Sequence, residues 1–306
     1  MMYKVVYAFL YALSLLPLRL LYFIGDGIYA LIYYVFGYRR KVVMQNLRIA
    51  FPEKSDAELK KISKQFYHNF IDTFLETIKL MSAGESFINK RVSGNWELVN
   101  EVAKNGKPAQ VHLGHTFNWE MANLAGSLNL VYKFLVVYMP IKNKAIDKIF
   151  HGLRSKGGTG LIAATPPRAF ISGMAKFKST QYLLVLAADQ SPADPSKAYW
   201  LNFFGRPTAF VTGPEKGARL NDLPVFFCNI SKIRRGYYDA QFTYVEEHPA
   251  LFPEGDLTVR FARFLEDVIR KYPSMWLWSH RRWKREWKEE YRSLWIDDPA
   301  TAPAKP

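Results

Sequence analysis

The feature that most restricts the possible folds is an alternation of short apolar segments with amphipathic ones between residues 109 and 272. Apolar runs of this length, rich in Val, Ile, Leu and Phe, are typical of strands buried on both faces of a sheet. The expected strands are 109–114, 131–139, 161–163, 182–188, 224–230 and 236–246. Strands that alternate with helices predict an α/β fold, with a mostly parallel central sheet flanked by helices.

Helical periodicity occupies most of the remaining sequence. The expected helices are 40–81 (as more than one helix), 119–128, 143–156, 166–177 and 256–272. Ser55 and Glu58 have the spacing of a capping box, which marks the start of one of these helices. Because no clear boundary interrupts residues 41–295, we expect one catalytic domain there, preceded by segment 1–40 and followed by a disordered tail, 296–306.

The N-terminal segment is the most apolar part of the chain. Between residues 3 and 38 only Lys4, Arg19 and Asp26 are charged, and tyrosine is abundant. Three interpretations remain open: a tilted membrane span, a helical hairpin bent near Pro17 that enters one leaflet, and a helix pair of the protein core. The tyrosines favour a membrane interface, where amphipathic rings concentrate. We therefore expect residues 1–40 to be a membrane-associated helical anchor.

The charge of the chain narrows its possible partners. Lys and Arg number 42 against 27 Asp and Glu, which gives a net charge of +15, while 49% of the residues are hydrophobic and 16% aromatic. Such an apolar chain is not intrinsically disordered, and its single cysteine excludes a disulfide scaffold. A basic, aromatic chain suits either an anionic membrane or nucleic acid.

Two basic clusters favour the membrane. The first follows the apolar segment, where positive charge indicates the cytoplasmic side. The second lies in a Trp-rich run, 276–292, which we interpret as an amphipathic helix on an anionic surface rather than as a nucleic-acid site. The residues expected to contact anionic phospholipid are Arg39, Arg40, Lys41, Arg281, Arg282 and Lys284.

The candidate chemistry lies where the strand 109–114 ends. His115 follows that strand, and Glu120 comes five residues later, about one turn into the next helix. A carboxylate on one imidazole nitrogen leaves the other free to accept a hydroxyl proton, so we expect Glu120 to orient His115 as a general base. Asp189 and Gln190 end another strand, where they either bind the acceptor or cap the structure. The histidines and the cysteine have no spacing typical of zinc sites, and we expect no metal.

These residues form one of several sequence blocks that resemble those of a known enzyme family. The segment His115–Glu120 resembles the H-x4-D/E block of the glycerolipid and lysophospholipid acyltransferase superfamily. The chain as a whole resembles the late (lauroyl/myristoyl) acyltransferases of lipid A biosynthesis in Gram-negative bacteria. The other blocks that carry the resemblance are 39–52, Arg154 with the glycines after it, 188–190, 203–207, 212–214 and 273–284. One departure is Phe117, where that family often has glycine.

The resemblance implies transfer of a fatty acyl chain from an acyl carrier protein thioester to a hydroxyl of a lipid A precursor, without a cofactor. It places the enzyme on the cytoplasmic face of the inner membrane. Arg154 would stabilise the developing oxyanion. The other implied substrate-binding residues are Asn118, Asp189, Gln190 and Arg206. The alternatives are acylation of a glycerophospholipid, an ornithine lipid or another glycolipid, or a basic membrane or nucleic-acid binding protein with a degenerate site.

Overall fold

The computed structural model describes residues 2–303; Met1 and residues 304–306, which end the expected tail, lie outside the described residues. The helices are α1 Met2–Leu15, α2 Leu18–Ala30, α3 Arg40–Ala50, α4 Asp56–Lys79, α5 Glu85–Asn89, α6 Trp96–Ala103, α7 Trp119–Asn129, α8 Lys144–Arg154, α9 Pro167–Ala175, α10 Gly213–Leu220 and α11 Asp256–Lys271. The strands are β1 Val92–Gly94, β2 Ala109–Leu113, β3 Lys133–Tyr138, β4 Gly160–Ala163, β5 Tyr182–Ala187, β6 Tyr199–Phe203, β7 Arg206–Phe210, β8 Val225–Arg234 and β9 Tyr237–Glu246.

A seven-stranded sheet with helices against it confirms the predicted α/β class. Its strand order is β1-β9-β8-β2-β5-β3-β4, and every neighbouring pair is parallel except the hairpin β8–β9. The central strands β2 and β5 are adjacent, and Leu113 is paired with Ala187. His115 and Asp189 each lie two residues beyond these partners, so the parallel register brings both to the same edge of the sheet.

The predicted capping box is present at the start of α4. The Ser55 side chain accepts from the Glu58 N–H, and the Glu58 carboxylate accepts from the Ser55 N–H at 2.8 Å. α4 is the longest described helix, and it carries a buried face against the domain. α4 therefore provides a surface on which other elements pack, including the N-terminal segment.

A second sheet and the C-terminal run differ from expectation. β6 and β7 form a separate antiparallel pair joined at Phe204–Gly205, a hairpin that the strand pattern did not predict. The expected amphipathic helix over 276–292 is wrong, because this run consists of turns and bridges up to a short 3-10 helix, Glu289–Leu294. Its tryptophans Trp276 and Trp278 are buried in the main core. Burial of these rings is incompatible with an apolar face turned to a membrane.

The described part of the expected tail is held against the domain. Asp297 pairs with Arg263, and the Asn202 side chain donates to the Thr301 carbonyl at 3.1 Å. Asp297 and Thr301 of the expected tail therefore contact the folded domain.

The N-terminal segment forms two helices that bend at Pro17. α1 ends at Leu15, and α2 continues into a π-helical turn, Leu31–Phe36. The stretch Leu18–Phe36 is 19 residues long and apolar enough to cross a membrane by length and composition. Its buried residues recur at Tyr22, Gly25 and Tyr29, which gives the helix one protein-facing side.

Candidate active site

His115 is held by a buried carboxylate from the neighbouring strand. Its Nδ1 lies 2.6 Å from Asp189 Oδ1, and its backbone N–H donates to Asp189 Oδ2 at 2.9 Å. The Trp276 indole N–H also donates to Oδ2, at 2.6 Å. Gly114 precedes His115 and lies close to this carboxylate, since a Cβ at that position would be 3.5 Å from Asp189 Oδ2. Asp189 thus fixes the ring and leaves Nε2 for chemistry.

The two groups change each other's proton affinity. Burial lowers the pKa of His115, but the charge and hydrogen bond of Asp189 outweigh burial and raise this pKa above its usual value. Burial raises the pKa of Asp189, but the charge of His115 and the hydrogen bonds donated to the carboxylate outweigh burial. Together they lower the pKa of Asp189 to about 2. The side chain of His115 is 24% exposed and that of Asp189 is 2% exposed. The pair is therefore a carboxylate-oriented imidazole with one side open to a reactant.

Glu120 makes no hydrogen bond with the imidazole and pairs with Arg154 instead, which corrects the pairing expected from the H-x4-E spacing. Its carboxylate accepts from Arg154 Nε at 3.0 Å through each oxygen, and from Arg154 Nη2. The Trp119 indole N–H donates to the same carboxylate at 3.2 Å. Glu120 lies in the first turn of α7 and Arg154 in the last turn of α8, so the pair ties the start of one helix to the end of another.

Asn118 caps the helix that carries Glu120. Its side-chain oxygen accepts from the N–H groups of Glu120 and Met121, at 3.1 and 3.2 Å. Its amide nitrogen donates to Glu76 at 2.8 Å. With both ends of its side chain bonded, Asn118 positions the loop between β2 and α7.

Glu76 is a buried carboxylate behind this loop. Besides Asn118, it accepts from the hydroxyls of Tyr22 and Tyr238, each at 2.6 Å. Burial raises the pKa of Glu76, while these three hydrogen bonds lower it. Glu76 was not among the site residues predicted from the sequence. It is one of two acids on the buried face of α4, the other being Asp72.

Gln190 and Arg206 lie in different places. Gln190 follows Asp189, and its Nε2 lies 3.3 Å from His115 Nε2. Arg206 is exposed at the start of β7, in the two-stranded sheet rather than at the strand ends that carry His115. The geometry brings Gln190, but not Arg206, to the imidazole.

Residues 275–277 of the C-terminal run make backbone contacts with residues 115–117, which lie between β2 and α7. Thr116 forms an antiparallel bridge with Trp276, the Phe117 N–H donates to the Met275 carbonyl at 3.0 Å, and the Leu277 N–H donates to the His115 carbonyl at 3.1 Å. Residues 275–277 therefore act as a strand laid along residues 115–117. No spacing rule could place these two segments together, because about 160 residues separate them.

The six basic residues expected at the membrane have different environments. Arg39 donates to the Ser279 carbonyl at 2.9 Å, and Arg40 lies over the Tyr33 ring at 4.7 Å. The exposed members of the six are Arg39, Arg40, Lys41, Arg281 and Lys284. Arg282 corrects the expectation, because it is buried at 1% exposure and cannot contact a lipid.

Arg282 is an unusual buried cation near the site. Its guanidinium lies over Phe210 at 4.2 Å and donates to the Ala209 carbonyl at 2.8 Å, whereas Nε and Nη2 have no hydrogen-bond partner among the described residues. Burial lowers the pKa of Arg282 to about 9, and the charge of Asp189 partly offsets this. A guanidinium with this pKa stays charged at neutral pH.

No group of three or more His, Cys, Asp or Glu side chains within residues 2–303 is arranged to hold a metal ion. His112, three residues before His115, is buried, and its Nε2 lies 3.0 Å from the Gln110 side chain. Burial lowers the pKa of His112 to about 3.

Comparison with known proteins identifies the family of the chain. A search of curated proteins returns no match. The family model described as "Bacterial lipid A biosynthesis acyltransferase" matches residues 2–285, which is most of the chain. The protein therefore belongs to the bacterial lipid A biosynthesis acyltransferase family, as the sequence resemblance indicated.

Proposed function

We propose that this acyltransferase moves a fatty acyl chain from an acyl carrier protein thioester to a hydroxyl of a lipid A precursor, in a secondary acylation at the cytoplasmic face of the inner membrane. The observation that carries the proposal is the imidazole of His115 held at 2.6 Å by buried Asp189. Family membership supports lipid A as the acceptor class.

The chemistry follows from the accessible nitrogen of His115. Nε2 accepts the proton of the acceptor hydroxyl as its oxygen attacks the thioester carbonyl, and Asp189 stabilises the imidazolium that forms. The C–O ester bond forms while the C–S bond breaks, and the imidazolium returns its proton to the departing thiolate. No covalent acyl-enzyme is needed, because the acceptor itself is the nucleophile.

Arg154 is the group that we propose for the developing oxyanion. Its Nε and Nη2 donate to Glu120, which fixes the guanidinium plane and leaves Nη1 as the atom to face the oxyanion. Loss of one such donor typically reduces the rate about 100- to 1,000-fold. Glu120 then acts as a positioning residue through Arg154, rather than on the imidazole.

Mass spectrometry of lipid A from cells with and without the gene tests the proposed reaction. We expect the deletion to remove one acyl chain, and a plasmid copy to restore it. A plasmid copy carrying His115→Ala should fail to restore the chain, whereas one carrying His248→Ala should succeed. His248 is a suitable control because it also pairs with a carboxylate, Asp222, at 2.8 Å on the surface. Unchanged lipid A in the deletion strain would favour another membrane lipid as acceptor.

A further inference from the structure

The N-terminal segment contacts the catalytic domain at both of its ends. Near the beginning, the Lys148 ammonium of α8 lies over the Tyr3 ring at 4.6 Å. Near the end, the Tyr67 hydroxyl of α4 donates to the Tyr38 carbonyl. A segment that crosses a membrane once must have its two ends on opposite sides. Here both ends touch one folded domain.

The middle of the segment is also attached to the domain. At the bend between α1 and α2, the Lys79 ammonium donates to the carbonyls of Ser14 and Leu16, at 2.8 and 3.0 Å. α2 then runs antiparallel to α4: Tyr22 meets Glu76 near one end, and the Tyr33 ring packs on Tyr67 toward the other.

The contact between the two helices is close along this length. A Cβ on Gly25 would lie 2.5 Å from Leu75 Cδ1, and the Tyr29 ring stacks on His68 with centroids 3.6 Å apart. The stretch Leu18–Phe36, which is long and apolar enough to span a membrane, is therefore packed on α4, which does not meet that criterion.

Charges make a spanning arrangement costly. Midway along α2, Asp26 pairs with Arg235 at 2.6 Å, and Arg235 also pairs with Asp72 of α4 at 2.7 Å. If α2 crossed the bilayer, this cluster would lie near its centre, where a charged side chain is strongly disfavoured. The cluster is compatible with a helix whose protein-facing side stays out of the hydrocarbon.

The opposite side of the segment is exposed and apolar. Of the twenty large hydrophobic side chains exposed within the described residues, thirteen lie between Val5 and Tyr38, including Phe23 at 76% and Phe36 at 74% exposure. A concentration of exposed apolar side chains of this kind marks an interaction surface. Three exposed lysines of α4, Lys60, Lys61 and Lys64, line an open cavity of about 490 Å³ beside it, together with Tyr29 and His68.

The lysines and the apolar face meet. The Lys64 ammonium lies 5.7 Å from the centroid of the Tyr34 ring, and Tyr34 is 58% exposed. Cations at the border of an exposed apolar helix suit the anionic headgroups above one leaflet, and a lysine near such a surface contributes about 1 kcal/mol to binding.

We propose that residues 3–38 form a monotopic lipid-binding face, which inserts into one leaflet of an anionic membrane from the side that carries His115, with Lys60, Lys61 and Lys64 on its headgroups. Of the interpretations left open by the sequence, this selects the hairpin that enters one leaflet. The inference rests on the membrane association within the proposed function. It adds that the active site lies on the leaflet from which the acceptor is taken.

Cysteine accessibility tests the topology of the full-length protein. Single cysteines replace Lys4, Phe36 and the exposed Lys197 in a Cys228→Ala background, and a membrane-impermeant maleimide is added to sealed inverted inner-membrane vesicles. We expect K4C and K197C to be labelled, and F36C to be labelled only after detergent. Labelling of K4C only in right-side-out vesicles would overturn the proposal while leaving membrane association intact. Recovery of the protein in the soluble fraction would overturn both.

The lysines are tested by charge reversal. We expect Lys60→Glu, Lys61→Glu and Lys64→Glu together to weaken binding to phosphatidylglycerol vesicles at least about 100-fold, from the sum of three headgroup contacts. The matched control reverses Lys104, Lys197 and Lys216, which gives the same net charge at other exposed positions. Equal weakening by both triple variants, or weaker binding of acyl carrier protein with unchanged vesicle binding, would overturn the assignment of these lysines to lipid.

Discussion

At the scale of single residues, the site depends on which carboxylate holds the imidazole. The H-x4-E spacing identified His115 correctly as a residue at the end of a strand, but it assigned the wrong partner to the ring. Glu120 follows the cap residue Asn118, and its carboxylate is bonded to Arg154 instead. Asp189 lies 74 positions away in sequence, and only the pairing of β2 with β5 brings it to Nδ1. Spacing along one helix contains no information about such pairing.

The pH dependence of the reaction should report this ion pair. The base must be neutral to accept a proton, so a raised pKa of His115 moves the acidic limb of kcat/KM above the usual histidine value, about 6.5. Asp189→Asn removes the charge that raises this pKa and leaves burial, which lowers it, so the limb should move to lower pH. Steady-state pH profiles of both enzymes check this shift. An acidic limb that stays in place in Asp189→Asn would contradict the assignment, and Asp222→Asn serves as the control.

Arg282 and Arg281 should behave differently although they are adjacent. Arg282 is buried against Phe203 and Phe210, whereas Arg281 is exposed. Arg282→Ala should lower the free energy of unfolding by about 1–3 kcal/mol, because the buried Ala209 carbonyl loses the hydrogen bond that Arg282 donates. Arg281→Ala should change it by less than about 0.5 kcal/mol. Denaturant unfolding measures both values, and equal effects would show that Arg282 is not buried in solution.

Among the helices and strands, those with a clear periodicity or a capping motif were predicted from the sequence. The capping box of Ser55 and Glu58, the strands at 109–114 and 182–188 and the helix at 256–272 all appear close to their expected bounds. The hairpin β6–β7 and the irregular run 276–292 were missed. The aromatic residues of that run alternate with charged ones as they would on an amphipathic helix. Tertiary contacts bury them instead, Trp276 beside Thr116 and Trp278 beside Phe51.

Glu76 joins four of these elements, and its removal tests their coupling. Glu76→Leu would leave the hydroxyls of Tyr22 and Tyr238 and the amide of Asn118 without their acceptor. Each buried donor left unpaired costs about 1–3 kcal/mol, so the free energy of unfolding should fall by at least about 3 kcal/mol. Thermal and denaturant unfolding of the full-length protein check the change. Glu97→Leu, at an exposed position of α6, is the control, and a similar small effect for both variants would contradict a role for Glu76 in coupling.

At the scale of the whole molecule, the basic and apolar character of the chain separates into distinct surfaces. The exposed apolar side chains are concentrated on residues 3–38, while much of the aromatic content of the C-terminal run is core. Net charge and composition suited a membrane and nucleic acid alike, and only the position of the two basic clusters favoured the membrane. Neither observation could show which charges are accessible. That depends on burial, as the contrast between Arg281 and Arg282 demonstrates.

The family and the α/β class were both predictable, because they rest on the order of many sequence blocks and on a repeated strand–helix pattern. The detailed site was only partly predictable. His115, Asp189 and Gln190 were selected as residues at strand ends, which is where the geometry places them together. Glu76 and the strand formed by residues 275–277 depend on tertiary contacts, so no local pattern could identify them.

In the proposed reaction His115, oriented by Asp189, is the base for acyl transfer to a lipid A precursor. The most direct measurement is the rate of this transfer from an acyl carrier protein thioester, by purified full-length wild type, Asp189→Asn and the matched surface variant Asp222→Asn. We predict that Asp189→Asn lowers kcat about 100- to 10,000-fold with little change in KM. The imidazole would lose the carboxylate that orients it and stabilises the imidazolium, and general-base assistance contributes a factor of this size. Asp222→Asn should match the wild type. Wild-type activity in a folded Asp189→Asn enzyme would contradict the account.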